Sequence, residues 1–123
     1  MNGLVIRDPY VTWILEGRKV WEMRGSATKM RGRIALIKSG SGLVFGTCDL
    51  VDVVGPLDLA TLRKNASKLN QKPSEMTGLY YANTYGWVLE GAKALPKPLA
   101  YEHKSGAVIW VKLSDALSKK LAK

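Results

Sequence analysis

The segment Gly17-Arg18-Lys19-Val20-Trp21-Glu22-Met23-Arg24 brings a lysine, a glutamate and an arginine into one short stretch, interleaved with Val20, Trp21 and Met23. The apolar residues seat the segment in a core, and the charges reach whatever lies at the edge of that core. A lysine and an arginine held by a carboxylate suit a phosphate group, since the guanidinium offers a planar fork of donors and the ammonium a point charge. On a strand Glu22 and Arg24 share a face, whereas Lys19 falls on the opposite parity. Lys19 joins them only where the strand begins, or across a bulge. Glu22 then keeps the two cations apart and in place. The same residue types also make an ordinary solvated salt bridge, worth about 0–1 kcal/mol. On the ligand reading, Lys19→Ala and Arg24→Ala each weaken binding of a polyanion with little loss of stability.

Other residues extend this chemistry. His103 is the side chain whose unperturbed pKa, about 6.5, suits proton transfer near neutrality. It stands in His103-Lys104-Ser105, ahead of an expected final strand. Arg7 and Tyr10 flank a helix start, and Ser39-Gly40 offers backbone N–H groups to an anion. Trp13, Tyr85, Trp87 and Trp110 have ring faces on which bases stack, at about 1–3 kcal/mol each. Tryptophans in a small domain are more often core, so Tyr85, which follows Asn83-Thr84 at the beginning of a strand, is the preferred one. Cys48 lies in a strand-like run and reads as a small buried hydrophobe. With one cysteine and one histidine there is no zinc-ligand set, and neither a metal nor a cofactor is expected.

The chain of 123 residues fits one domain over residues 1–123, and its net charge is +9. A basic domain attracts polyanions through release of condensed counterions. Arg24, Lys29, Arg31 and Arg33 fall together without an acid among them, and Arg63, Lys64, Lys68 and Lys72 form a second basic group. No apolar run is long enough to span a membrane, and the first residues carry no basic-then-apolar leader pattern. The expected location is cytoplasmic.

The elements that must position these residues follow from pattern. Gly3 to Arg7 reads as a strand. Asp8-Pro9 starts a helix, with Asp8 as cap and Pro9 at its first position, and Gly17 ends it. Arg18 to Arg24 reads as a second strand, and Gly25 to Gly32 as a basic loop made mobile by its glycines. Arg33 to Lys38 and Leu43 to Val54 are strands joined by the Ser39-Gly40-Ser41-Gly42 turn, the second stopped by Gly55-Pro56. Asp58 begins a helix, and Lys72-Pro73-Ser74-Glu75 is a connection. Tyr85 to Leu95 is a strand broken by Pro96 and Pro98. Ala107 to Leu113 is the last strand, and Ser114-Asp115 opens a short helix. Unequal strands with a few small helices give an α+β class, a small barrel or sheet with helices outside it.

The pattern Gly-x-Lys-x-x-Glu-x-Arg at Gly17, Lys19, Glu22 and Arg24 resembles the signature of the ASCH domain family. The resemblance extends through Ile6 to Gly17, Gly46 to Val53, Trp87 to Glu90 and Gly106 to Val111. It implies a PUA-like β-barrel of about five to six strands with two or three short flanking helices, and a cleft lined by the charged motif. Members of that family are proposed to bind RNA or other nucleic acid, some resemble ribonucleases, and one branch hydrolyses the amide of N4-acetylcytidine. The partner expected from this is RNA, single-stranded foremost, with DNA second. Its contacts would be Arg7, Tyr10, Lys19, Arg24, Lys29, Arg31, Ser39, Gly40, Tyr85, Lys104 and Ser105. Metal-independent cleavage would draw on Lys19, Glu22, Arg24 and His103, with Lys19 and Arg24 stabilising charge on phosphorus oxygens and Glu22 or His103 carrying the proton. The amide-hydrolysing branch places a threonine nucleophile three residues after the motif lysine, where this chain has Glu22. Thr47 or Ser105 would then have to serve. The third alternative is a non-catalytic module for a small ligand or a protein.

Overall fold

The computed structural model describes residues 1–79, 81–103 and 109–122. The chain runs β1 (Asn2–Ile6), α1 (Tyr10–Leu15), β2 (Trp21–Arg24), β3 (Gly32–Lys38), β4 (Leu43–Val54), α2 (Leu59–Lys64), β5 (Tyr85–Ala100), β6 (Trp110–Lys112) and α3 (Asp115–Leu121), with 3-10 turns at Ala66–Leu69 and Pro73–Glu75. The six strands form one sheet in the order β2-β5-β4-β3-β1-β6, antiparallel except for β1 against β3. Its ends curl towards each other. Trp87 of β5 stacks on Trp110 of β6 at 5.8 Å and 10°. Arg24 of the edge strand β2 reaches the carbonyl of Val5 on β1 at 2.9 Å. Among the described residues no backbone ladder joins β2 to β6, so this is a six-stranded half-barrel whose seam is bridged by side chains. With its short helices it is the PUA-like α+β fold expected.

Alternation along the strands sorts side chains into separate cores. Ile34 and Leu36 of β3, Cys48 and Leu50 of β4, and Trp87 and Leu89 of β5 point into the curl, where Val11 and Ile14 of α1 plug one end. Ala35, Ile37, Val44 and Val111 face the other way and are covered by α3 through Leu121. A third cluster packs Leu62, Ala66, Leu69 and Met76 onto Trp21, so the segment between β4 and β5 lies against β2.

Several local expectations need correction. Asp8 does not cap α1; its carboxylate accepts the Thr12 hydroxyl at 2.6 Å, and Pro9 itself takes the capping position. The second strand begins at Trp21 rather than Arg18, because Gly17, at φ +78°, turns the chain at the helix end. There the N–H groups of Arg18 and Lys19 both donate to Trp13 O, at 2.9 and 3.1 Å, and take no part in the sheet. β5 runs on through Pro96 and Pro98. Its register against β4 passes from Gly46↔Ala94 to Val44↔Leu99, so residues 95–98 bulge opposite Phe45 and their missing donors break no ladder bond. The Lys72–Glu75 connection is a 3-10 turn closed by Lys72 N–H donating to Glu75 Oε1 at 2.7 Å. Ala107 lies outside the described residues, and the observed part of the last strand is β6.

Candidate functional site

The turn after α1 sets the site. With its N–H tied to Trp13, Lys19 lies just before β2, anchored on the far side by Val20 N–H donating to Lys68 O at 2.8 Å. This placement at the start of the strand brings Lys19 to Glu22 despite its opposite parity. The ammonium donates to Trp21 O at 2.6 Å and lies 3.7 Å from Glu22 Oε1. Arg24 Nη2 donates to Glu22 Oε2 at 2.9 Å as well as to Val5 O. Glu22 thus separates the two cations, one oxygen to each.

The lysine and glutamate of the triplet are buried, and the arginine is partly so. Lys19 is 4% and Glu22 7% exposed, and the Arg24 Nε–H is buried without a partner. Burial pushes the Lys19 ammonium below its usual pKa; Glu22 opposes that shift and Arg24 adds to it. The Lys19 Nζ also sits 5.5 Å from the Tyr10 ring centroid, and the Arg24 guanidinium 5.6 Å from that of Trp87. This burial argues against the expectation that Lys19→Ala leaves stability nearly intact. That change strips a buried carboxylate of a partner, which costs several kcal/mol in such pairs.

Lys19, Glu22 and Arg24 border a cleft of about 650 Å³. Val5, Tyr10 and Met23 line it from the sheet and α1, and Leu62, Leu69, Met76, Leu79 and Tyr81 from the segment that crosses β2. Arg7, Ser39, Gln71 and Glu75 supply further polar lining. Arg63 Nε donates to Met76 O at 3.0 Å, which ties the crossing segment to α2.

The structure brings Arg7, Tyr10 and Ser39 to the triplet, but not the remaining candidates. The Ser39 N–H already donates to Ile6 O at 2.9 Å, and Gly40 is exposed in the turn outside the cleft. Tyr85 pairs with Arg24 in the β2–β5 ladder and packs on the core. His103 does not line the cleft; Tyr101 Oη lies 2.9 Å from its Nδ1, and Tyr101 packs on the cluster covered by α3. Thr47 is buried on β4, accepting from Arg33 Nη2 at 2.8 Å. Trp13, Trp21, Trp87 and Trp110 are packed away from the cleft. Lys29 and Arg31 are exposed outside it, on a loop that is pinned rather than slack. Trp87 Nε1 donates to Ser26 O, and Arg31 folds back onto Thr28 O and Met30 O. Lys104 and Ser105 lie outside the described residues.

Sequence reasoning missed Glu75, Met76, Leu79 and Tyr81. The available signal was apolar and aromatic residues persisting in a Gly- and Thr-containing stretch with no periodicity of its own, where a plain linker would be polar. Among the described residues no three of His, Cys, Asp and Glu converge as a metal site.

An open half-barrel with a Lys–Glu–Arg triplet at the start of its edge strand and along it defines a small α+β domain built around a charged cleft. The chain belongs to the ASCH domain family, whose model matches residues 4–98. The matched span holds every cleft residue named above and ends before His103. Solved structures of the ASCH protein from Zymomonas mobilis share the fold. The unsubstituted protein superposes with a TM-score of 0.72 at 14% identity, covering 98% of this chain and 92% of that one. A Ser→Ala variant gives 0.73 at 15%, covering 98% and 93%. Comparison with curated protein sequences gives no match.

Proposed function

We propose that this domain binds single-stranded RNA by taking one nucleotide into the cleft, base inward and phosphate at the rim. The observation that carries this reading is the Lys19–Glu22–Arg24 triplet, its lysine and glutamate buried, within a cleft otherwise walled largely by apolar and aromatic side chains. The volume is within the usual range for a small-ligand site. Of the charges lining it, Arg7, Lys19 and Arg24 are opposed by Glu22 and Glu75, leaving one positive charge in a chain carrying +9. Such a cleft suits the neutral, polar-edged face of a base better than a dianion. Phosphates are left to Arg7 and to Lys29 on the neighbouring loop. The test is fluorescence anisotropy with a labelled eight-nucleotide RNA at several salt concentrations. Binding that weakens with salt, with a slope reduced by about 0.7 in Arg7→Gln, supports the reading. No binding at low salt by folded protein overturns it. Matched DNA in the same assay separates RNA from nucleic acid in general.

One observation favours cleavage as a second reading. Glu22, the carboxylate held between the two cations, can carry a proton, Lys19 and Arg24 beside it can steady charge on a phosphorus oxygen, and His103 is elsewhere. In that reaction Glu22 takes the 2′-hydroxyl proton as the 2′-oxygen bonds to phosphorus. The bond to the 5′-oxygen breaks, the proton passes from Glu22 to that leaving oxygen, and Lys19 and Arg24 stabilise the phosphorane charge. RNA with 2′-O-methyl groups should then bind uncut, and cleavage should persist in chelator and vanish in Lys19→Met. Equal cutting by that variant removes this reading and leaves the binding one standing. The amide-hydrolysing alternative has no support from Thr47, which is buried on β4 outside the cleft.

A further inference from the structure

Resting on the RNA-binding reading, we infer that Tyr81 is the platform on which the bound base stacks, and that Gly25 holds it there. Tyr81 lines the cleft yet is 42% exposed, one of the few large apolar side chains on the surface of the described residues. Exposing a ring costs hydration free energy that a packed position would recover, so an exposed ring at a cleft mouth is a surface available to a ligand. Its placement is fixed from both sides. The Tyr81 carbonyl accepts the Thr84 hydroxyl at 3.2 Å, which holds the backbone ahead of β5. The ring itself lies on the backbone of Gly25, the residue after Arg24. A methyl group at Gly25 would stand 2.8 Å from Tyr81 Cδ1 and 3.3 Å from Cγ, so only glycine lets the ring settle there. Gly25 has no positive φ that would otherwise require glycine, and its lack of a side chain serves this contact.

The chemistry of the ligand follows. A ring positioned beside the Arg24 end of the triplet contributes stacking, while the triplet supplies donors and one carboxylate for the polar edge of a base. Stacking on an aromatic ring tolerates any base and carries no phosphate charge. Its removal should therefore lower affinity without changing the salt dependence, the reverse of what loss of a phosphate-binding cation does.

The experiment uses the full chain and an eight-nucleotide single-stranded RNA carrying 2-aminopurine, with anisotropy for affinity and 2-aminopurine emission for stacking. Tyr81→Leu keeps apolar bulk but removes the ring. It should weaken binding by roughly 5- to 100-fold, leave the salt slope unchanged and reduce quenching of the probe. Tyr81→Phe should bind like the parent. Gly25→Ala, which displaces the ring, should weaken binding alone but add nothing when combined with Tyr81→Leu. Circular dichroism confirms that each variant is folded, and Tyr81 is a surface residue whose loss the core can bear. Equal affinity and quenching for Tyr81→Leu and the parent overturns the stacking role while leaving RNA binding intact. Additive losses for Gly25→Ala and Tyr81→Leu overturn the coupling between the two residues. Failure of the parent to bind RNA overturns both this inference and the reading beneath it.

Discussion

Arg24 and Arg33 perform the same local task in two very different places. Each guanidinium donates to a carbonyl on another strand, Arg24 to Val5 O on β1 and Arg33 to Gly91 O on β5. Each also meets a carboxylate, Glu22 at 2.9 Å and Asp49 at 3.4 Å. Arg24 lies on the edge strand at the seam of the curled sheet, and the side chain of its carboxylate partner is 9% exposed. Arg33 lies on the outer face of a central pair of strands, and its partner is 45% exposed. Glu22 also answers a second cation, Lys19, whereas no second cation salt-bridges to Asp49 among the described residues. The lesson is that ion-pair chemistry becomes a candidate site where a sheet fails to close and leaves charges under a roof of apolar side chains. On a ladder's solvent face the same chemistry is a strut.

The largest effect should separate the two clusters by stability. Glu22→Gln removes the carboxylate and leaves two cations facing each other inside the cleft. Breaking a buried pair in this way costs about 3–5 kcal/mol, because the uncompensated charge stays buried. Asp49→Asn, in water and with Arg33 still bonded to Gly91 and Thr47, should cost less than about 1 kcal/mol. Urea unfolding of both variants, with the slope compared to confirm a common denatured state, gives the difference. Similar small losses for both would reclassify the triplet as a solvated pair.

Most of the fold was legible because its signals are local. Leu43 to Val54 reads as a strand from its apolar run and its Gly55-Pro56 stop, and β4 has those bounds. Asp58 caps α2 and Ser114 caps α3, each accepting an N–H three residues on, as their residue types suggest. How Lys19 joins Glu22 was partly legible, since parity left either the beginning of the strand or a bulge, and the strand beginning at Trp21 is what the fold uses. The failures are long-range. That Pro96 and Pro98 lie within a strand depends on a bulge opposite Phe45, which only the pairing register of β4 reveals. Tyr81, rather than Tyr85, lines the cleft because the segment between β4 and β5 folds back over β2 through Leu62, Leu69 and Met76. Nothing near Tyr81 in the chain announces that. His103 and Lys19 are far apart in sequence, and no local rule says whether the fold joins them.

A middle-sized effect should appear in alkaline titration and depends on Lys19 being buried. Its folded pKa lies below 10.5, so between that lowered value and 10.5 the unfolded chain binds more protons than the native one. Stability then rises with pH across the window, at up to about 1.4 kcal/mol per pH unit for one full proton. Below the window the cost of burying the charge is fully present. Cys48, pushed up to about 12 by burial, and Tyr101, also raised, act in the opposite sense. Both remain in Lys19→Met, so they cancel in the comparison. The parent-minus-variant stability difference should therefore climb as pH increases. A flat difference in urea midpoints between pH 7 and 10.5 would mean that Lys19 is as solvated as a surface lysine.

The smallest effect should come from Lys29, the exposed counterpart of the buried Lys19. Its loop is held in shape by the Trp87 bond to Ser26 O and by Met30 N–H donating to Thr28 Oγ1 at 3.1 Å. Met30 itself packs against the main core. Lys29 is exposed there, outside the cleft and its ion pairs. A cation so placed meets phosphates rather than base edges, and phosphate contacts carry no sequence information. Lys29→Gln should leave stability unchanged and lower the slope of log affinity against log salt by about 0.7, equally for every RNA tested. Arg31→Gln differs, because its guanidinium also holds Thr28 O and Met30 O and its loss loosens the loop. Competition among homopolymeric RNAs at two salt concentrations distinguishes these outcomes. A loss confined to one sequence would place Lys29 on a base edge and move the reading surface out of the cleft onto the loop.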